Sequence, residues 1–342
     1  MNILMIMVIG AGAIGTSLTA YLMHRAATSA TAPAIALYAR DKERAAFENA
    51  GCLRVDYAKA RQKSLITPLP RLVDHLAQAN AAKTVLLCIK YPALAALMAQ
   101  LGDLPPSTTL VSTLNGMSAL RELRARYPHN RVIPISVMYN VQHCGVLHAR
   151  ITTAAQIVIG SAAAQDLQPW QGSGLRVGVG HGDASVWGKL LINLTSGICA
   201  LTHATFRDVL TDPDLRCIYV ALLDEATRTL QQAGVPYQLP MPLPYAFYRR
   251  MLAGRSPLPW WFARWRNGVQ QGAYPSMVSD IVHQRRTEID QLSGEIVTLG
   301  RQHGIATPIN SAITDRVHGL QTQQPPTYLT AAALRQALGL SR

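Results

Sequence analysis

The sequence predicts an α/β amino-terminal half followed by an all-α carboxy-terminal half, and three observations carry that prediction. The apolar run Met5-Ile6-Met7-Val8-Ile9 passes directly into Gly10-Ala11-Gly12-Ala13-Ile14-Gly15. Further short apolar runs bounded by turn residues recur until about residue 180, as buried parallel strands do. From Asp183 onward the pattern changes to longer stretches with apolar positions at helical spacing.

The glycine-rich stretch fixes the first element. Gly10 permits a sharp turn, Gly12 removes the side chain that would hold a pyrophosphate off the backbone, and Gly15 lets the next helix lie close on its strand. Thr16 to His24 carries Leu18, Tyr21 and Leu22 at helical spacing, and Ile35-Ala36-Leu37-Tyr38 arrives where a second strand belongs. The expected unit is therefore Rossmann-type and dinucleotide-binding. Gly10, Ala11, Gly12, Ala13, Ile14 and Gly15 would form its cofactor turn, with helix N–H groups facing the phosphates. After the small-residue connector Ala26 to Pro33, the end of the second strand falls at Arg40, with Lys42 and Arg44 behind it. NAD-binding chains place a carboxylate there, whereas an arginine grips a 2′-phosphate in a charge-assisted fork, which favours NADP(H). A solvated arginine at a strand end is the plainer alternative, and Asp41 could take the acid's role.

Leu72 to Ala79 reads as an apolar helix, Thr84 to Lys90 as a buried strand and Leu94 to Leu101 as a helix. Thr109 to Thr113 reads as a strand before the turn Leu114-Asn115-Gly116-Met117. Ligands sit at the carboxyl ends of strands in open parallel sheets, so Lys90 and Asn115 are expected together on the cofactor rim. Arg131 to Val137 and Gln156 to Gly160 complete the sheet, with Leu175 to Val179 at its edge. Helices are expected at Ala184 to Thr202, Leu215 to Ala233, Ser276 to His303 and Asn310 to Leu320. The domains are thus 1–180 and 181–342, the second with a proline- and tryptophan-rich insertion at 236–275 that includes Pro242, Trp260, Trp261 and Trp265. Either it packs as an excursion shielding its own apolar side chains, or it forms a substrate lid or oligomer contact.

At 342 residues the chain is long enough for two cores, and 49% hydrophobic residues supply them. The apolar start, Met1 to Met23, lacks a basic leader and a cleavage pattern, and so reads as strand plus helix rather than as a signal or span. Five scattered cysteines without C-x-x-C spacing fit a reduced cytoplasm and indicate neither a disulfide framework nor a metal site. The formal charge of +13 is spread along the chain, with no basic run longer than two residues and no aromatic interleaving of the kind single-strand binders use, and therefore suits anionic small molecules better than nucleic acid.

Lys189, Asn193 and Gly197 fall at steps of four and stack along one helix face. Leu190, Leu191 and Ile192 demand burial around that lysine, so a cleft is expected; a snorkelling lysine is the alternative. Ser276, Asp280, Gln284 and Glu288 also fall at steps of four on the expected third helix. They form either a solvated face or the source of a carboxylate that pairs with Lys189.

GAGAIG, Leu37-Tyr38-Ala39-Arg40, Leu87-Cys88-Ile89-Lys90, Leu114-Asn115-Gly116-Met117, Lys189-Leu190-Leu191-Ile192-Asn193 and the block from Ser276-Met277 to Thr287-Glu288-Ile289-Asp290 occur in this order. With them the chain resembles the ketopantoate reductases (2-dehydropantoate 2-reductases) over nearly its whole length. The resemblance implies an NADPH-binding Rossmann domain and a helical domain that together reduce a 2-oxo acid, ketopantoate to pantoate in pantothenate biosynthesis. It implies Lys189 as catalytic acid, Glu288 as its carboxylate partner, Asn115, Asn193 and Ser276 as substrate-binding groups, and Lys90 as the rim lysine.

A protonated lysine would stabilise and protonate the alkoxide formed as hydride arrives. The family's second asparagine one turn beyond Asn193 is Gly197 here, which suggests a larger pocket lacking one hydrogen-bonding group. A different 2-oxo acid, an opine-type substrate or a non-catalytic NADP(H) sensor are the rival expectations. Expected partners are the small-molecule 2-oxo acid and a second copy of the chain as homodimer, with neither nucleic acid nor membrane.

Overall fold

Strands β1 (Met5–Ile9), β2 (Ala34–Tyr38), β3 (Cys52–Tyr57), β4 (Ser64–Pro68), β5 (Arg71–Val73), β6 (Thr84–Leu87), β7 (Thr109–Ser112), β8 (Arg131–Val137), β9 (Val141–Gly145), β10 (His148–Ile151), β11 (Gln156–Ile159) and β12 (Arg176–Val179) form two sheets. The structure is a computed structural model that describes residues 5–58, 64–241, 244–254, 256–267 and 272–340; Pro242 lies outside the described residues. The chain divides into two compact units, Met1–Leu114 with Ser118–Gly182, and Asn115–Met117 with Asp183–Arg342.

In the first unit the larger sheet runs β12-β11-β8-β7-β6-β1-β2-β5, with β12 at the expected edge. β1 is parallel to both neighbours, β2 and β6, while the β8–β11 pair is antiparallel. Ile6 and Val8 of β1 enter one core with Leu86, Val111 and Ile133, and Met7 and Ile9 enter another with Val85, Leu87 and Leu110. Both faces are covered, which is why these strands read as continuous apolar runs. One expectation fails here: Leu72 to Ala79 is no helix. Arg71–Val73 adds to the free edge of β2, and only Leu76–Ala81 coils, as a short 3₁₀ segment. Pairing with an open strand edge outweighed the local helical spacing.

A smaller sheet, β4-β3-β10-β9, was not anticipated by the strand reading. It packs on the helix Ala13–Thr28, which is buried without interruption from Gly15 to Leu22 because a sheet covers it on either side. Ser17 Oγ lies 2.8 Å from Tyr139 Oη, and the Tyr57 hydroxyl donates to the Tyr21 hydroxyl at 2.9 Å, so polar links tie that helix to its surroundings.

The second unit is helical. Asp183–Asn193 and Thr195–Thr202 follow one another with Leu194 between, long and apolar enough together to cross a bilayer yet mostly buried inside the protein, as a core helix is. Pro213–Gln232 and Pro308–Gln321 agree with the expected spans within about two residues. Glu225, buried on the first, accepts from the Ile309 and Asn310 N–H groups at 2.9 and 2.7 Å and so caps the second at its positive end.

The expected helix Ser276 to His303 is broken into Ser276–Val282, a 3₁₀ turn at Ile289–Gln291, and Ser293–His303. Gln284 adopts φ 54°, Gln284 N–H bonds Ile281 O at 3.0 Å, and Arg285 N–H bonds Asp280 O at 2.7 Å. Those bonds make a Schellman stop, so the stripe Ser276, Asp280, Gln284, Glu288 does not exist as one helix face. Asp280 is buried and paired with Arg285 at 3.0 Å.

Candidate active site

In the first unit the glycine turn has the shape its sequence implies. Gly10 sits at φ +105°, and a Cβ there would stand 2.5 Å from the Cys88 carbonyl oxygen; a Cβ on Gly15 would stand 1.7 Å from the Gly10 carbonyl oxygen. Around Gly12, by contrast, a Cβ would meet nothing within 4 Å. The helix that starts at Ala13 has no side-chain cap and no carboxylate in its first turn, so its free N–H groups and positive end face the open side of Gly12. That combination fits the phosphates of a dinucleotide. Arg40, two residues past β2, is exposed and forms an ion pair with Glu43 one turn into the next helix. An exposed pair of this kind is worth about 0–1 kcal/mol and yields readily to a stronger anion. Lys90 is exposed at the start of the turn Tyr91–Ala93, just after β6.

In the second unit, Lys189 lies on Asp183–Asn193, and Gly188 before it allows the backbone of Gln238 to press in: a Cβ there would stand 1.7 Å from the Gln238 carbonyl oxygen. Burial pushes the Lys189 ammonium down to about 8, and the negative charge of Glu288 opposes that shift. Asn115 Nδ2 donates to Glu288 Oε2 at 3.0 Å. Gly116 makes that approach possible, since at φ +77° its Cα faces the Gln291 carbonyl, which a Cβ would meet at 2.4 Å.

The loop that carries Glu288 is held from behind by residues the sequence reading did not single out. The Thr287 N–H donates to Gln321 Oε1 at 2.6 Å, Gln321 Nε2 lies 3.2 Å from His318 Nδ1, and His318 Nε2 lies 2.9 Å from Asp290 Oδ1. His318 and Gln321 stand at i, i+3 on one helix, the only trace such a clamp leaves in a sequence.

The structure thus brings Lys189, Glu288 and Asn115 together, with Asn193 one turn along from Lys189 and half-buried. Ser276 is exposed at the first turn of its own short helix. Gly197 corrects an expectation: it opens no larger pocket. A Cβ there would stand 2.7 Å from Ile313 Cγ2 and 3.3 Å from Ile289 Cδ1, so two isoleucines fill the space a side chain would take.

Two sequence models match nearly the whole chain: "Ketopantoate reductase PanE/ApbA" over residues 6–164 and "Ketopantoate reductase PanE/ApbA C terminal" over residues 183–321. The chain belongs to the ketopantoate reductase family. A 2-dehydropantoate 2-reductase of Vibrio cholerae serotype O1 is 30% identical over 137 residues, which is 40% of this chain and 40% of that relative's own length. Among solved structures, a PanE/ApbA family ketopantoate reductase from Ralstonia eutropha JMP134 superposes with a TM-score of 0.74 at 21% identity, covering 94% of this chain and 99% of its own. The fold is shared more widely than that name. D-mandelate dehydrogenase, solved with NADH and anilino(oxo)acetate, gives a TM-score of 0.72 at 17% identity, covering 98% of this chain and 100% of its own.

Proposed function

We propose that the chain is an NADP(H)-dependent oxidoreductase that reduces a 2-oxo acid to the 2-hydroxy acid, with 2-dehydropantoate as the first candidate substrate. The reading places it in the cytoplasm, as a homodimer, in pantothenate biosynthesis. The observation that carries it is Lys189, a half-buried lysine pushed down to about 8 beside a carboxylate that Asn115 holds. A structural lysine gains nothing from such a setting, whereas a proton donor needs it.

Gly10, Gly12 and the free N–H groups that open the helix Ala13–Thr28 would hold the dinucleotide, whose chemistry there would be the supply of hydride. The chain's own groups do the rest. Lys189 Nζ donates its proton to the ketone oxygen as that oxygen gains charge, and its ammonium stabilises the developing alkoxide beforehand. A pKa near 8 keeps the lysine mostly protonated at neutral pH while making the proton easier to give than from an ordinary lysine. Glu288 keeps that charge in place, and the Asn115 bond fixes which way Glu288 faces. Asn193 and Ser276 are the proposed hydrogen-bonding groups for the substrate, and Arg40 and Lys90 the proposed cofactor-side cations, Arg40 for a 2′-phosphate.

A second reading concerns the substrate alone. D-mandelate dehydrogenase, which shares this fold, was solved with anilino(oxo)acetate, and that likeness favours a 2-oxo acid with an apolar side chain over a hydroxylated one. NADPH oxidation with 2-dehydropantoate beside a panel of aliphatic and aromatic 2-oxo acids tests both. Preferred turnover of 2-dehydropantoate supports the first reading, and preferred turnover of an apolar acid supports the second. Dinucleotide binding without turnover of any of them overturns both in favour of a sensor.

A further inference from the structure

The insertion between Pro236 and Pro275 holds five arginines, Arg249, Arg250, Arg255, Arg264 and Arg266, and no aspartate or glutamate. Its described part contains two helices, Tyr245–Ala253 and Leu258–Asn267. One side of the pair is ordinary core: Tyr248, Leu252 and Trp260 are buried. The other side inverts the usual pattern. Leu258, Trp261 and Trp265, at i, i+3 and i+7, are 60, 56 and 83% exposed, and Phe247 on the neighbouring helix is 57% exposed. Arg250, one turn after Phe247, and Arg264, beside Trp265, are exposed as well; the Arg264 guanidinium stands 5.6 Å from the Trp261 ring centre.

This face is presented by a fixed element. Arg216, buried on the helix Pro213–Gln232, donates Nε to Leu252 O at 2.8 Å, Nη1 to Ser256 O at 2.7 Å and Nη2 to Met251 O at 2.9 Å, and also reaches Gly254 O. Its charge meets the negative end of Tyr245–Ala253 and holds the turn into the second helix. A buried arginine is costly to keep, and here it orders the one turn that sets Trp261 and Trp265 outward.

We infer that the helix pair Tyr245–Ala253 and Leu258–Asn267 docks the protein on an anionic lipid surface, with Phe247, Leu258, Trp261 and Trp265 entering the headgroup region and Arg250 and Arg264 meeting lipid phosphates. Tryptophan beside arginine on one open helix face is the composition that settles at a membrane interface, and a chain of net charge +13 is drawn to such a surface from a distance. A second copy of the chain is the poorer occupant, because pairing this face with itself sets Arg250 and Arg264 of two copies against each other with no carboxylate in the insertion to neutralise them. The expected absence of a membrane partner rested on the lack of a spanning segment, which does not bear on attachment to a surface.

Flotation of the full chain with vesicles of phosphatidylglycerol and phosphatidylcholine, beside vesicles of phosphatidylcholine alone, tests this. Three of the five tryptophans, Trp170, Trp187 and Trp260, are buried, so brominated lipid should quench only Trp261 and Trp265. The wild type should float with the anionic vesicles, lose that binding about tenfold or more as salt is raised, and show quenching. Trp261→Ser/Trp265→Ser should fold with an unchanged circular dichroism spectrum and lose both flotation and quenching, and Arg250→Glu/Arg264→Glu should fall to the level of neutral vesicles. Failure of the wild type to float at low salt overturns the inference. So does equal flotation by the tryptophan variant, or an effect of that variant on self-association or on capture of an acidic protein with lipid binding unchanged.

Discussion

Asn115 Nδ2 donates to Glu288 Oε2 at 3.0 Å across 173 residues of chain. The bond joins the turn after β7 to the loop that faces Lys189, so the carboxylate is aimed by a residue far away in sequence. Asn115→Ala is expected to lower kcat/KM about ten- to hundredfold, the range for a lost hydrogen bond to a charged group, and a parallel rise in the dinucleotide Kd would mark Asn115 as a cofactor-rim residue as well. Steady-state kinetics beside a binding titration separates the two.

Lys189→Ala removes the proposed proton donor. Turnover should fall on the order of 10²- to 10⁴-fold while dinucleotide binding persists. A kcat like that of the wild type would take Lys189 out of the chemistry.

The pH dependence follows from the same residue. Burial pushes the Lys189 ammonium down to about 8 from the 10.5 of a solvated lysine. Activity that needs the protonated form should therefore decline as pH rises through about 8, and Glu288→Gln, which removes the charge that raises this pKa, should move the decline to lower pH. Stability moves the other way. Between about 8 and 10.5 the unfolded chain binds the extra proton, so stability increases with pH across that window. Lys189→Met is accordingly expected to stabilise the fold by about 1–3 kcal/mol at pH 7, with the gain shrinking toward pH 10, which thermal melts at the two pH values would record.

Arg40→Ala should raise KM for NADPH far more than KM for NADH. The ion pair with Glu43 is exposed, so its loss costs the fold little and the kinetic contrast reports the 2′-phosphate alone. Equal effects on the two cofactors would remove Arg40 from that role.

Gly197→Asn, which restores the family's residue, is expected to destabilise by about 1–3 kcal/mol, because its Cβ would press on Ile313 Cγ2 at 2.7 Å. Ile313→Ala should relieve part of that loss, a coupling that a double-mutant cycle would measure.

The Rossmann-type unit was legible because its determinants are local: the GAGAIG turn and the continuous apolar strands lie within a few positions of the backbone they shape. The nearness of Lys189 to Glu288 was legible through the resemblance alone, and the periodicity offered to support it was misleading. Ser276 to Glu288 at steps of four describes a helix that Gln284 stops at φ 54°, a backbone choice nothing about glutamine announces. The smaller sheet escaped for another reason. β3 is a six-residue strand with a polar outer side, and its parallel partner is β10, where His148 stands opposite Arg54. Two short alternations so far apart carry little signal singly. Gly197 shows the converse limit: a missing side chain in sequence is empty space only if no neighbour fills it, and Ile313 does.

The helix Ala13–Thr28 lies between two sheets, one of which is completed only by His148–Ile151. During synthesis, the glycine turn and its first strands emerge early, while that helix keeps Leu18, Leu22 and Tyr21 uncovered on one side until β10 has left the ribosome. Formation of the glycine-turn end of the helix is thereby tied to translation of a segment remote from it. Chains released before Ile151 should be open to proteolysis within Ala13–Thr28, and those released after β12 should be protected there.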